Sequence, residues 1–549
     1  MNLETPVLIV GGGPVGLALA LDLGWRGVEC LLVDALERDG YRNHPRANLI
    51  NSRTMEFCRR WGVADRVKEV GTPPDYPHTA MYVTSMRGHL IARIERPEHG
   101  GDKKIAFTPE PPQRCNQIWF DPVLRERAEG FPSVKLRYRW RFDSFVQDDR
   151  GVTSTVADLE RGDMHTIRSA YLAACCGGRS PIRLQLGIDA NEGEVLGAPL
   201  SVYFRAKDLW SYHDKGKGVL HFIVGPTGVW ATLNSLNGGD LWRVTLHGGA
   251  KAHGEPDKLD HKQILTRIVG CEFPYELIAI SPWVRRKLVT AAYRHGRVFL
   301  AGDCAHQNTP TGGYGMNTGM GDAVDLGWKL AATLSGFGGP ALLESYGSER
   351  RPVGLRNREA SAAHTRVRLA IAECYKEASC DGATMSDAQR AVLSARIAAQ
   401  GNAENESAGI EFGYVYDQSP VVVTEVGAVP PVDPLHYVPT TMPGARLPST
   451  FLKDGSALFD RLGPWFTLVN FGKMDESTFV SAATRAGVPL KVLSLEEPSL
   501  EHVYGRDAFL VRPDQHIAWR GSEKSAADAA NVLACALGWG RQKELEVRI

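Results

Sequence analysis

Hydrophobic and polar positions recur with two different periods along this chain, and the places where the period switches mark its elements. Residues 6–10 (PVLIV) form a short apolar run that ends in glycines, the pattern of a strand buried on both faces. From Val15 to Arg26 the apolar positions take a helical period, and Cys30–Val33 is a second buried run closed by Asp34. The chain is therefore predicted to open with a β-turn-α-β unit. Arg297–Ala301 (RVFLA) predicts another buried strand, followed by a Gly/Pro-rich loop and a helix from about Gly321 to Leu334. Leu200–Arg205, Val219–Val224 and Trp242–His247 alternate, as antiparallel strands with one wet face do. The Ala-, Glu- and Arg-rich stretch 354–408 predicts helix. Pro420, Pro430, Pro431, Pro434, Pro439, Pro443 and Pro448 then read as a linker or wrapping segment. The last hundred or so residues alternate strand-like and helix-like runs, which predicts a separate small α/β domain. There is no internal repeat.

A chain of 549 residues exceeds what a single core organises, so two or three domains are expected. Formal net charge is zero, with no basic stripe of the kind nucleic acid requires, so no nucleic-acid partner is expected. The ten cysteines are scattered without a CxxC pair, which fits reduced thiols better than a disulfide scaffold. His and Cys spacings form no ligand cluster, so no metal is expected. Val7–Leu23 is apolar but lacks a basic leader and is broken by Gly11, Gly12, Gly13, Pro14 and Gly16, unlike a signal peptide. No run is long enough to span a bilayer, and a soluble, cytoplasmic chain without a membrane partner is the expectation.

The glycines at the first turn change the picture. Gly11-x-Gly13-x-x-Gly16 follows a strand and opens a helix. Glycines there permit the tight turn, the approach of a pyrophosphate and close helix–strand packing. The helix start, with Pro14 and Val15, offers free N–H groups and partial positive charge to phosphates. Asp34 ends the next strand where a carboxylate accepts hydrogen bonds from ribose hydroxyls. Dinucleotide binding is the expectation. A second motif points to which dinucleotide. Gly302-Asp303 closes the strand 297–301, and Pro310-Thr311-Gly312-Gly313-Tyr314-Gly315-Met316-Asn317 opens another helix. Asp303 suits a ribityl hydroxyl, and the second helix start can stabilise negative charge on a reduced flavin ring. A nicotinamide dehydrogenase has no use for it.

The pieces GGGPVG (11–16), PRANLINSRTME (45–56), RCNQ (114–117), GGRSPIR (177–183), GRVFLAGDCAH (296–306), PTGGYGMNTGMGDAVDLGWKLA (310–331) and YGSERRPVG (346–354) together resemble the single-component FAD-dependent aromatic hydroxylases, the group of para-hydroxybenzoate hydroxylase and phenol hydroxylase. They cover about the first 360 residues. PGARLP (443–448), FTLVNFG (466–472) and FLVRPDQHIAWR (509–520) resemble the thioredoxin-like C-terminal domain of the phenol hydroxylase branch. The resemblance implies an α/β fold: a Rossmann-like FAD-binding domain (1–75, 112–190 and 281–375) and an inserted antiparallel β-sheet substrate domain (76–111 and 191–280). A helical connector and Pro-rich linker (376–436) and the thioredoxin-like domain (437–549) follow. It implies FAD contacts at Gly11, Gly13, Pro14, Val15, Gly16, Asp34, Arg46, Gln117, Asp303, Gly315, Met316 and Asn317, with NADH or NADPH as co-substrate, and a homodimer. The activity implied is hydroxylation of a phenolic ring by a C4a-hydroperoxyflavin. Pro310 to Gly315 would line the oxygen side.

Two departures from the family pattern matter. Cys176-Gly177 stands where an Asp-Gly pair is usual, and Asn48 stands where relatives carry an Asp or His facing the substrate. An amide is no general base. Asn48 is expected to orient the substrate while Tyr203, Tyr212, His213 or His221 of the middle sheet handles the proton. His306 is expected to serve a structural turn. Baeyer–Villiger or oxidative-elimination chemistry on the same scaffold, or a catalytically silent FAD-binding protein, are the rival readings. A flavin disulfide reductase would need a CxxxxC pair, which is absent.

Overall fold

The computed structural model describes residues 2–540 apart from 97–98, 189–193, 226–227, 249–254, 256–257, 378–385, 400–406, 426, 428–430, 432, 473, 498–499 and 523–527. Pro430 and the parts of the predicted helical stretch at 378–385 and 400–406 lie outside the described residues.

The apolar run at the start becomes strand β1 (Asn2–Val10), whose Val7, Leu8 and Ile9 are fully buried. It pairs in parallel with Met164–Ala174 on one side and with β2 (Cys30–Asp34) on the other. Val298–Leu300 and Val134–Tyr138 extend the parallel sheet on its two flanks. Between β1 and β2 runs α1 (Pro14–Trp25), buried from Gly16 to Gly24. This is the Rossmann-like arrangement: both faces of a parallel sheet are covered, so its strands are apolar throughout.

The helix expected from about Gly321 instead begins at Tyr314 and runs to Leu334. Its glycine-rich start misleads a propensity reading, because glycine disfavours helix interiors. Here packing overrides that cost. A Cβ on Gly319 would sit 2.5 Å from Val15 Cγ2, and one on Gly327 would sit 2.5 Å from an Asp22 carboxylate oxygen. The glycines let this helix press against α1.

A seven-stranded sheet forms the second layer, in the order Glu276–Pro282, Leu200–Arg205, Leu241–Leu246, Gly228–Ser235, Leu220–Gly225, Ala80–Val83, Leu90–Ile94. Neighbours are antiparallel, as the alternation predicts, except that Ala80–Val83 runs parallel to Leu220–Gly225. One face packs Met81, Val202, Phe204, Leu233, Val244 and Leu246 against Leu265, Ile268 and Val269 of the helix His261–Val269. The other face carries Tyr203, Asn234 and Arg243. It turns toward the Rossmann-like layer, where Arg243 Nη1 donates to the Pro45 carbonyl at 3.0 Å.

The C-terminal part has a four-stranded sheet in the order Leu490–Ser494, Phe466–Asn470, Ala508–Val511, Ile517–Gly521. The first pair is parallel with helix Ser477–Arg485 between them, the others are antiparallel, and helix Ala529–Ala536 follows. That is a thioredoxin-like topology. A buried ion cluster ties it to the first domain. Lys329 Nζ lies 2.8 Å from Asp325, and Arg512 lies 2.6 Å from both Glu349 and Asp514. The carboxylates of Asp325, Glu349 and Asp514 crowd together, and these two cations answer them. No helix among the described residues is long and apolar enough to cross a membrane.

Candidate functional site

The three glycines of the first turn meet different requirements. Gly11 has φ +114°, and a Cβ there would sit 2.4 Å from the Cys175 carbonyl oxygen; on Gly16 it would sit 1.9 Å from the Gly11 carbonyl oxygen. Packing demands both. At Gly13 the Cβ position has nothing within 4 Å, so this glycine keeps a face open. The first intrahelical bond of α1 runs from Leu17 N to Gly13 O at 3.0 Å. The N–H groups of Val15 and Gly16 precede it and are left at the helix mouth, as an anion site requires. Asp34 accepts from Gly12 N and, at 2.7 Å, from Leu36 N. Burial pushes its carboxyl up, and those two backbone bonds oppose the rise.

The second corner turns on Gly312 and Gly313, both left-handed at φ +81° and +72°, which leads directly into the helix at Tyr314. Gly315 again has open space at its Cβ position, whereas a Cβ on Gly302 would sit 2.9 Å from Val15 Cγ2. Since Gly319 presses on the same Val15 atom, the two glycine corners and the Gly302-Asp303 turn meet around Val15. The Asp303 carboxylate accepts no hydrogen bond from any described residue. The carboxylate is open to solvent, but the protein packed around it pushes it up, against the charges of His306, Arg46 and Arg183. Arg46 is exposed, with its guanidinium 5.3 Å from the Tyr41 ring centroid. Gln117 donates its backbone N–H to Ala47 O at 2.9 Å and its side-chain amide to Asp121 at 3.0 Å. An open glycine face, free helix-start N–H groups, an unanswered Asp303 and a nearby Arg46 fit a flavin dinucleotide.

Other residues singled out in the sequence are placed as follows. The Asn317 side chain staples the second corner: its amide donates to Leu49 O at 3.0 Å and Gly313 O at 2.8 Å, and its oxygen accepts from Asn51 N and Thr54 Oγ1. Its amide is thus engaged by protein, and its backbone faces the helix start. Met316 is half-buried against the first core, and Pro310 is exposed where the turn begins. His306 Nε2 lies 2.7 Å from Asp322, which also accepts from Gly302 N at 3.0 Å and Arg350 at 2.8 Å, so this histidine braces the turn. Cys176 Sγ lies 3.1 Å from Ser180 Oγ and 3.7 Å from Cys304 Sγ.

On the side facing the sheet, Asn48 is buried and neither atom of its amide has a hydrogen-bond partner. A buried amide left unanswered costs free energy unless a ligand satisfies it. Tyr203 stands directly across from Arg243 on the sheet face turned toward the Rossmann-like layer. The structure places His221 on the opposite face, beside Met81 and Leu233. His213 and Trp210 pack against it there, and Tyr212 packs on Phe273 of the same core. Burial lowers His221 to about 3, so it is neutral at pH 7. Tyr203 is thus the one of the four on the cleft side. Sequence reasoning passed over Arg114, Asp121 and Arg243. Asp121, one helical turn after Gln117, is pushed up to about 7 by burial. Arg114 opens the RCNQ segment, but only pairing across strands reveals what surrounds it.

The chain is similar to known flavoproteins in sequence and in fold. A family described as "FAD binding domain" matches residues 4–361, and one described as "Aromatic-ring hydroxylase, C-terminal" matches 440–539. Among curated relatives, FAD-dependent monooxygenase apdD of Emericella nidulans is 31% identical over 97% of this chain and 90% of its own. Phenol 2-monooxygenase of a Pseudomonas species is 29% identical over 96% of this chain and 92% of its own. Among solved structures, chromopyrrolic acid-soaked RebC with bound 7-carboxy-K252c superposes with TM-score 0.88 and 36% identity over 98% of this chain and 100% of that one.

Proposed function

This chain belongs to the family of FAD-dependent aromatic-ring monooxygenases, and from that premise we propose that it uses NAD(P)H and O2 to hydroxylate an aromatic compound bearing a phenolic hydroxyl. The observation that carries the reading is the unanswered, buried Asn48 amide, between Leu49, which packs on the second glycine corner, and the Pro45 and Arg46 carbonyls, which accept from Arg243 of the large sheet.

FAD, when bound, supplies the redox and oxygen chemistry. The residues of the chain do the rest. The Gly13 face and the N–H groups of Val15 and Gly16 take the pyrophosphate. Asp34 and Asp303 would take hydroxyls of the ribose and ribityl chain, and Arg46 would balance charge nearby. On the substrate side Asn48 gives a phenolic hydroxyl one hydrogen bond from its Nδ2 or to its Oδ1 and holds it in place. Its amide does not take the proton. Tyr203 can pass that proton on. Burial pushes its phenol up, so it stays protonated at neutral pH and would work as a relay, accepting the substrate's proton as it releases its own to water.

The test is rapid kinetics on FAD-loaded enzyme with a panel of phenols. A phenol that is a substrate speeds NAD(P)H oxidation and leaves with one added oxygen atom. Tyr203→Phe is expected to leave flavin reduction unchanged and to cut hydroxylation at least tenfold. If no phenol accelerates NAD(P)H oxidation, the reading is wrong. Should hydroxylation survive Tyr203→Phe intact, the relay is wrong and the hydroxylase reading remains.

A further inference from the structure

On the strand that pairs with Leu49–Ile50 the structure places a cation, Arg114, that no carboxylate of the described residues answers. Arg114 lies on a short strand, Gln113–Arg114, that pairs antiparallel with Leu49–Ile50 and sets Leu49 directly opposite Arg114. Directly opposed residues share a face of an antiparallel ribbon. Leu49 lies close against Gly313, where a Cβ would sit 3.1 Å from Leu49 Cδ2. Arg114 therefore stands on the ribbon face turned to the second glycine corner. Next along the same ribbon, Cys115 N donates to Asn48 O at 3.1 Å, which fixes the Asn48 backbone one position along.

The Arg114 side chain is 7% exposed, its Nε is shut from solvent without a partner, and among the described residues no hydrogen bond or ion pair reaches its guanidinium. Burial pushes it down to about 9, helped by Arg96 and Arg243, both of its own sign, and it is still a cation at neutral pH. Nearby His78 and His99 are lowered by burial and by two arginines, Arg96 and Arg114, and the Nδ1 atoms of both rings lack partners. Burying an unpaired guanidinium among like charges is costly, and such groups are normally paired. A packing role gives no reason for a cation here, since an uncharged side chain of similar length would fill the space at lower cost.

We propose that Arg114, with Arg243 alongside, is an anion subsite that takes a carboxylate carried by the aromatic substrate. The planar guanidinium matches a carboxylate with two parallel hydrogen bonds, which sets the orientation of the ring as well as its affinity. The proposal rests on the hydroxylase reading for what the carboxylate is attached to.

The test uses FAD-loaded enzyme without NAD(P)H and follows the flavin absorbance while 1-naphthoate, its uncharged isostere 1-naphthamide, or 1-naphthol is added. The wild-type protein is expected to bind the acid at least tenfold more tightly than the amide. Arg114→Met should bring that ratio to within about twofold of one, and Arg114→Lys should keep part of it, which a packing role would not. If the acid binds no better than the amide, or leaves the flavin spectrum unmoved, the subsite does not exist; a preference that persists in Arg114→Met places it elsewhere. Tighter binding of the naphthol than of the acid also overturns it. Should Arg114→Met not fold, the wild-type ratio and the Arg114→Lys variant decide. NAD(P)H oxidation is scored separately, so a failed hydroxylase reading and a failed anion subsite give different results.

Discussion

His221 shows how a side chain that looks catalytic in sequence can stand on the far face of its sheet. Strand alternation puts it on the face that packs against helix His261–Val269, where neither ring nitrogen has a partner. Burial lowers it to about 3, against about 6.5 in an unfolded chain. Between those values the unfolded chain binds a proton that the native state refuses. Its contribution is therefore intact above pH 6.5 and is lost as pH falls toward 3. Between pH 7.5 and 5 the loss is about 2 kcal/mol. His221→Leu is expected to shrink the difference between urea midpoints measured at these two pH values, with hydroxylation unaffected. An unchanged difference would mean that the ring is already protonated or hydrated in the native state. Asn48 is the opposite case: its residue type alone shows that it cannot act as a base, but its buried, unanswered amide is visible only once its surroundings are known.

At the scale of elements, the glycine corners separate two kinds of requirement that a motif writes with one letter. Gly16 has no room for a side chain, since a Cβ would sit 1.9 Å from the Gly11 carbonyl oxygen. Gly16→Ala should therefore destabilise the fold itself, with or without cofactor. Gly13 has ordinary backbone angles, φ −76°, and an open Cβ position. Gly13→Ala is expected to leave the thermal midpoint of the FAD-free protein within about 2 °C, while weakening FAD at least tenfold, about 1.4 kcal/mol. FAD titration of both variants, beside their melting curves, separates the roles. The late start predicted for the second helix has the same origin. Gly315 and Gly319 read as helix breakers, yet Gly315 opens the helix and Gly319 stands where Val15 comes too close for a Cβ.

The whole molecule is held together by contacts that cross between its parts. Arg512 belongs to the thioredoxin-like part, while Asp325, Lys329 and Glu349 belong to the long helices of the first. All are nearly or wholly shut from solvent. Arg512→Met leaves buried carboxylates short of one cation, which typically costs about 3–5 kcal/mol. A lower urea midpoint for both parts together is expected; if the C-terminal part alone is lost, the cluster braces that part and does not couple the two. Arg53 makes a similar link, donating to Asp514 O at 2.6 Å. Without a CxxC, the thioredoxin-like part contributes packing of this kind rather than dithiol chemistry.

Local order was legible in the chain: β1, α1 and β2, the glycine turns, the alternating strands and the small C-terminal α/β unit all follow from short-range periodicity and from backbone angles that only glycine adopts readily. These depend on neighbours within a turn or two. Which face of a strand meets the cofactor cleft is a different matter, because sheet order sets it. Alternation shows that Tyr203 and His221 each lie on one side of a strand, but pairing across Leu200–Arg205, Leu241–Leu246 and Gly228–Ser235 is what sends one toward the cleft and the other into the far core. Arg114, Asn48 and Arg243 are likewise distant in sequence. Burial and charge are sums over everything nearby in space, so only the folded chain could crowd Arg114 against Arg243 and leave polar atoms of all three unanswered.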